Sequence, residues 1–157
     1  MRRDRQGAGL SFSFAGNRLH IAILTDFADG QKKKIRDLRE SKLLRDGHVL
    51  TTDMYAAQGE ADIEDMIGRE AYLELVQQAY NLDAKHKLPA KRPKAANERI
   101  VKEVEEHFRT LPASVSEFDH YRPAEFLMQQ GTGHTLPGIE ISLDRFEQLF
   151  RDLNGML

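Results

Sequence analysis

Two short apolar stretches decide the fold: Leu19-His20-Ile21-Ala22-Ile23-Leu24-Thr25 and His48-Val49-Leu50-Thr51. Nearly continuous apolar runs of this length are typical of strands covered on both faces, as in parallel sheets, although a buried helical turn shows the same pattern. Residues 31–44, between the two stretches, predict a charged surface helix with Ile35 and Leu38 on its inner side. Strand, helix and strand in this order predict a βαβ unit, whose crossover is almost always right-handed.

The remainder of the chain predicts helices. One helix is indicated by apolar residues at i, i+3, i+4 and i+7, namely Tyr72, Leu75, Val76 and Ala79. We expect a second helix on Ile100, Val101, Val104 and Phe108, a short one after Pro123, and a last one on Phe146, Leu149, Phe150 and Leu153. Ser142 is the expected N-cap of the last helix. The aromatic side chains of this half, Tyr121 and Phe150 among them, are expected in the core.

These elements predict an α/β fold, with a partial Rossmann-like parallel sheet, flanking helices and a helical C-terminal extension. We expect an irregular segment over 1–18, an α/β portion over 19–84, and a basic loop with helices over 85–157, the last two in one domain. With 157 residues, 40% hydrophobic and 31% charged, the composition is that of a globular protein and excludes a disordered one.

Charge and special residues narrow the classes further. Lys and Arg number 23 against 25 Asp and Glu, so the net charge of -2 neither demands nor excludes a nucleic-acid partner. The absence of cysteine excludes disulfides and thiolate zinc sites and suits a cytoplasmic location. No apolar run reaches the roughly 18 residues of a membrane span, so a membrane partner is not expected.

Acidic residues follow both predicted strands. Asp26 and Asp29 come directly after the first, and a second group follows the other, comprising Glu60, Asp62, Glu64 and Asp65. Ligands of parallel sheets bind beyond the carboxyl ends of the strands, and carboxylates held close together repel each other unless a cation neutralises them. Hard oxygen ligands favour Mg²⁺ or Mn²⁺, which orient phosphates in phosphoryl transfer. The alternative is that these acids only cap helices and favour their dipoles.

Positive charge is concentrated in one stretch, which opposes only Glu98 and contains Lys85, Lys87, Lys91, Arg92, Lys94 and Arg99. Such a stretch is suited to holding a phosphate backbone beside an acidic site, so we expect weak, salt-dependent DNA binding through Lys91, Lys94 and Arg99. A solvated loop is the alternative. His120 and Tyr121 are within possible reach of the acidic site, but a packed or surface histidine is the more usual explanation.

Several motifs resemble a known family. The runs ILTDFADGQKKK, HVLTTD and GEADIEDMIGREAYLELVQQAY resemble the later half of the Toprim domain in OLD-family ATP-dependent endonucleases. The runs HYRPAEFLM and DRFEQLFRDLN resemble the C-terminal end of ABC-type ATPases fused to such a domain. The resemblance covers roughly residues 12–157. It implies a Toprim-like sheet and a Mg²⁺-dependent DNA endonuclease, driven by an upstream ATPase region or subunit and often used in phage defence.

The resemblance also assigns roles. It implies that Asp26 is the first metal-ligating aspartate and that Asp62 and Glu64 form the Asp-x-Glu motif, with Asp29 and Glu60 in support. A downstream basic residue contacts the scissile phosphate in that family, and Arg99 is the nearest match, with Lys94 and Lys102 as alternatives.

The chain departs from the family at two points. A complete Toprim domain begins with a strand that ends in a glutamate, but no glutamate precedes Glu40 here. The Asp-x-Asp spacing is stretched to Asp26-x-x-Asp29, and no GxxxxGK[ST] phosphate loop is present. We therefore expect the C-terminal, metal-binding part of a larger nuclease, prone to form a homo-oligomer. Two alternatives remain: a non-catalytic remnant or interaction module that docks on an ATPase partner, and another Mg²⁺ phosphotransferase on a Rossmann-like sheet.

Overall fold

The structure is a computed structural model, and it describes residues 21–40, 48–89, 91–92, 98–131 and 133–156. Several sequence predictions fall outside these residues: the irregular segment over 1–18, the start of the first apolar stretch at Leu19 and His20, the end of the surface helix over 41–44, and Lys94.

The two apolar stretches pair as parallel strands, as predicted. Strand β1 (Ile23–Thr25) lies beside β2 (Val49–Thr51), with Ile23 opposite Val49 and Thr25 opposite Thr51. A 3₁₀ turn (Asp29–Gln31) and helix α1 (Lys32–Arg39) follow β1, and Ile35 is buried on the inner side of α1. β2 is buried at every residue, which explains its unbroken apolar pattern. The fold is thus mixed α/β, mostly helical, with a two-stranded parallel sheet in the described part.

Helices make up the rest of the described chain. After β2 come α2 (Asp53–Ala56), α3 (Ile63–Ile67), α4 (Arg69–Tyr80), α5 (Ile100–Phe108), α6 (Tyr121–Gln130) and α7 (Ile139–Met156). Gly68 separates α3 from α4 with φ of 87°, a left-handed conformation that glycine adopts without steric cost. None of the helices in these ranges is both long and apolar enough to cross a membrane.

Two apolar clusters hold the elements together. The larger joins α4 to α5 through Tyr72, Leu75, Val76, Ile100, Val101, Val104 and Phe108, which confirms the periodicity of both predicted helices. The smaller joins β2, α2, α3 and α7 through Leu50, Tyr55, Met66 and Leu149. Because α4 and α5 lie on opposite sides of the boundary drawn at residue 84, the larger core spans both predicted portions.

Three predictions for the C-terminal half are wrong. Ser142 is buried inside α7 and does not cap it, because a turn over Leu136 and Gly138 starts the helix at Ile139. Helix α6 begins at Tyr121, before Pro123, since proline is tolerated in a first turn where its missing N–H has no intrahelical acceptor. Tyr121 is 81% exposed and Phe150 58% exposed, so neither belongs to the core.

Candidate functional site

The chain segments after the two strands meet at the carboxyl end of the sheet. Phe27, two residues beyond β1, forms an antiparallel bridge with Ala61 through two hydrogen bonds of 2.9 Å. The Thr52 hydroxyl donates to the Ala61 carbonyl at 2.5 Å and holds the returning segment against the end of β2. This bridge places the start of α3 beside the end of β1.

Three of the predicted acids converge there. The Asp26 carboxylate accepts the Ile63 N–H at 3.0 Å, which brings it next to the residues on either side of Ile63, Asp62 and Glu64. Burial raises the pKa of Asp26, and the charge of Asp62 raises it further. Burial likewise raises the pKa of Glu64, with smaller contributions from Asp62 and Asp26. The three carboxylates therefore form one electrostatically coupled group, hereafter the acidic edge.

Arg99 neutralises the innermost of these acids. It precedes α5, and its guanidinium donates three hydrogen bonds of 2.6–2.9 Å to both oxygens of Asp62. The Asp62 side chain is 5% exposed and that of Arg99 22% exposed, so the pair is largely desolvated. The residue expected to contact phosphate thus binds a residue expected to bind metal.

Asp65 has a different role from its neighbours. One of its oxygens accepts the Asp62 N–H at 2.8 Å, and the other accepts the Ile100 N–H at 3.0 Å. Burial raises the pKa of Asp65 in spite of these bonds. This carboxylate ties the start of α3 to the start of α5, and so positions Asp62 opposite Arg99.

The two supporting acids lie at the outer end of the edge. The Asp29 N–H donates to the Glu60 carboxylate at 2.8 Å, and the Asp29 carboxylate is paired with Lys32 at 2.6 Å. The Glu60 N–H in turn donates to the Glu98 carboxylate at 3.2 Å. Asp62 is the main cause that raises the pKa of Arg99, and the charge of Glu60 raises it further. Both carboxylates therefore stabilise the charged guanidinium.

The predicted basic residues are divided among several environments. Lys91 is exposed, whereas Lys94 lies outside the described residues. Arg92 is 3.6 Å from Glu103, a buried acid that is also paired with Arg69 at 2.7 Å. Lys102 is paired with Glu105 at 2.8 Å. The guanidinium groups of this stretch are therefore engaged with protein carboxylates.

The acidic edge offers ligands of the type that Mg²⁺ prefers, but in a small number. Among the described residues, no group of three or more His, Asp or Glu side chains has the arrangement to hold a metal ion. Mg²⁺ is usually held by only one or two carboxylates, with water and substrate phosphate completing its shell. Asp26, with one oxygen outside the Ile63 bond, and Glu64 are the carboxylates of the acidic edge that could serve as such ligands.

One buried hydroxyl in the described part of the chain is without a partner. Tyr72 is 2% exposed, and its hydroxyl has no hydrogen-bond partner among the described residues. An unpaired buried hydroxyl costs about 1–3 kcal/mol. Burial raises the pKa of Tyr72, and Glu64 is the carboxylate that raises it most, so the charge of Glu64 acts on this hydroxyl.

Sequence patterns did not single out the Tyr72 hydroxyl, because Tyr72 carries only the signal of an apolar helix face, which its buried ring satisfies. His120 is on the surface, as expected: its side chain is 48% exposed, its Nε2 is 3.0 Å from the Glu105 carboxylate, and its ring packs on Phe118. Its charge also contributes to lowering the pKa of Glu64. The contact of His120 with α5 forms only in the folded chain, so no local motif marks it.

Fold and site together define a mixed α/β module with an acidic edge at the carboxyl ends of its parallel strands. No family model matches the chain, and no curated protein or solved structure matches it at a significant level.

Proposed function

We propose that the chain is the metal-binding part of a Mg²⁺- or Mn²⁺-dependent DNA endonuclease of Toprim, OLD-family type, which works with an ATPase region or subunit. The observation that carries the proposal is the hydrogen bond from the Ile63 N–H to Asp26, which brings Asp26 next to Asp62 and Glu64. Asp26 and Glu64 would hold the ion. The ion would polarise a phosphate and activate water when bound.

Arg99 has a defined part in this proposal. It holds Asp62 in place, because its guanidinium balances the charge of this carboxylate, the most buried of the acidic edge. A guanidinium also binds phosphate oxygens in the same bidentate geometry as carboxylate oxygens. Phosphate and Asp62 would then compete for one side chain. Lys91, Lys94 and the other lysines of the basic stretch would hold the DNA backbone through charge alone.

Mn²⁺ titration followed by electron paramagnetic resonance tests the metal site. Wild-type protein should remove free Mn²⁺ signal, and Mg²⁺ should compete. Asp26→Asn and Glu64→Gln should each weaken binding at least tenfold, because each removes one of two anionic ligands. Glu147→Gln is the matched control, since Glu147 is an exposed acid on α7 that is paired with Arg151. Unchanged Mn²⁺ affinity in both edge variants would contradict the proposal.

Cleavage is the second measurement. The chain alone should cut DNA slowly or not at all, because the glutamate of the family's first strand, which would complete proton transfer, is not present before Glu40. Addition of the ATPase region should restore Mg²⁺-dependent cleavage that Asp26→Asn abolishes. Cleavage that survives Asp26→Asn would exclude this site.

A second candidate function is a non-catalytic interaction module that docks on an ATPase partner. The observation that favours it is that the acids bind groups of the protein itself: both oxygens of Asp62 accept hydrogen bonds from Arg99, and Asp26 accepts the Ile63 N–H. Large apolar side chains are also exposed on α6 and α7, including Tyr121, Met128 and Phe150. Absence of Mn²⁺ binding by wild-type protein would favour this function.

A further inference from the structure

A cleft opens between the end of α5 and the start of α6. Its volume is about 570 Å³, within the range of small-molecule sites. Its apolar walls include Phe108, Leu111, Val115 and Phe118. Phe108 is fixed by an edge-to-face contact with Tyr80 at 4.7 Å between ring centroids, and the Phe118 ring lies 5.3 Å from Phe108. The floor of the cleft is therefore aromatic, and the Tyr80 ring packs against Phe108 and holds it in position.

The imidazole of His120 completes this aromatic lining. Its ring centroid is 5.1 Å from that of Phe118, and its side chain is 48% exposed. The His120 Nε2 is 3.0 Å from the Glu105 carboxylate, which restricts the rotation of the ring. A second planar ring entering the cleft would meet two aromatic surfaces already held in place.

The charges at the mouth nearly balance. Glu105 and Glu117 line the cleft together with Arg109, and Lys102 is paired with Glu105. Two carboxylates thus face two permanent cations. A cleft with balanced charges at its mouth favours a neutral ligand over a free anion. A nucleobase is such a ligand, since it is a neutral planar ring with hydrogen-bond donors and acceptors on its edge.

Helix α5 connects the cleft to the acidic edge. Arg99, directly before α5, is bound to Asp62, and Glu105, on the same helix, is 3.0 Å from the His120 Nε2 in the cleft. Arg99 and Glu105 are separated by a helical rise of about 9 Å, at about 1.5 Å per residue. A nucleotide whose phosphate lay at the acidic edge would have its base near this cleft.

We propose that the cleft binds one unpaired nucleobase of a single-stranded nucleic acid whose phosphate lies at the acidic edge, an inference that rests on the proposed function for the position of the phosphate. A base within a duplex is stacked and paired, and cannot enter without being flipped out. Stacking on aromatic side chains is the usual means of binding single strands. The substrate class of the site is therefore a single strand or an unpaired end.

Fluorescence anisotropy with a labelled oligothymidylate and a blunt-ended duplex of equal length tests the proposal. Titrations run in EDTA and again in Mg²⁺. Wild-type protein should bind the single strand more tightly than the duplex. His120→Ala should weaken single-strand binding about tenfold, the effect of losing one base–aromatic stack, and leave duplex binding unchanged. His120→Phe should retain single-strand binding, because a ring replaces a ring.

The control removes a histidine elsewhere. His134→Ala deletes an imidazole that packs on Phe126 at 6.0 Å, outside the cleft, and should not alter binding. Equal affinity for the two nucleic acids, equal losses for both in His120→Ala, or a His120→Phe variant as weak as His120→Ala would overturn the proposal.

Two further measurements separate this proposal from the metal site and from misfolding. If His120→Ala still weakens single-strand binding in EDTA and in the Glu64→Gln background, base binding in the cleft is supported even where Mn²⁺ binding fails. If His120→Ala has no effect while Mn²⁺ binding is intact, the cleft proposal is overturned and the metal site is not. Saturation-transfer NMR on wild-type protein should transfer magnetisation to the thymine methyl group. Absence of that transfer would overturn the proposal without any variant.

Discussion

Replacement of Arg99 by alanine should strongly destabilise the protein. The three hydrogen bonds from the guanidinium satisfy both oxygens of Asp62, whose side chain is 5% exposed. Without Arg99, a desolvated carboxylate remains beside Asp26 and Glu64 with no ion-pair partner among the described residues. Breaking a buried ion pair by removing one partner costs about 3–5 kcal/mol, against about 0–1 kcal/mol for a surface pair. We expect a loss of about 3–5 kcal/mol, the range for buried pairs, since Asp62 is almost fully buried.

Urea denaturation followed by far-UV circular dichroism measures this loss. With a slope of roughly 1–3 kcal/mol per molar urea, a loss of about 3 kcal/mol moves the midpoint down by roughly 1–3 M. Asp62→Asn in the Arg99→Ala background should recover part of the loss, because a neutral amide is less costly to bury than an unpaired carboxylate. Arg99→Lys should be intermediate, because an ammonium group cannot form the bidentate contact.

A small effect would refute the reasoning. If Arg99→Ala cost less than about 1 kcal/mol, the pair would behave as a solvent-exposed one. If the double variant were no more stable than Arg99→Ala, the loss would come from packing of the arginine stem and not from the charge left on Asp62.

Three other predictions concern the acidic edge, the core and the basic stretch. Glu64→Gln should stabilise the metal-free protein at pH 7 in thermal melts, because burial raises the pKa of Glu64 above its usual 4.5. The protonated Glu64 side chain contributes its full stability below pH 4.5, and this stability is lost as the pH rises through the folded-state pKa. The advantage of the variant should therefore vanish in acid. An advantage that persisted in acid would contradict this cause. Leu75→Ala should cost about 2–5 kcal/mol in urea titrations, since Leu75 is 1% exposed, whereas Leu143→Ala, at a residue 62% exposed, should be nearly neutral. Lys85→Ala with Lys91→Ala should flatten the salt dependence of DNA binding in gel shifts by up to about 0.9 in log–log slope for each phosphate that the two lysines neutralise; an unchanged slope would identify the stretch as a solvated loop.

The acidic site was only partly predictable. Asp26 directly follows β1, and Asp62 follows β2 after the short helix α2; the two residues meet at the carboxyl end of the parallel sheet, as their order in the chain predicted. The pairing of Asp62 with Arg99 is set by the approach of α5 to α3, and Asp65 fixes that approach by accepting the Ile100 N–H. The roles given to Lys94 and Lys91 remain predictions, as does the relation to Toprim nucleases.

The sequence by itself determined the local elements. Apolar runs predicted both strands, and 3.6-residue periodicity predicted α4 and α5, because burial of one face requires that spacing. Tertiary structure alone decided where α7 begins, why Tyr121 and Phe150 lie in solvent, and which cation pairs with Asp62. Helical spacing of apolar residues predicts that a face exists but not how much of it other elements cover. Arg99 reaches Asp62, and Asp65 reaches the Ile100 N–H, only because α3 packs against α5, and no local sequence pattern encodes that approach.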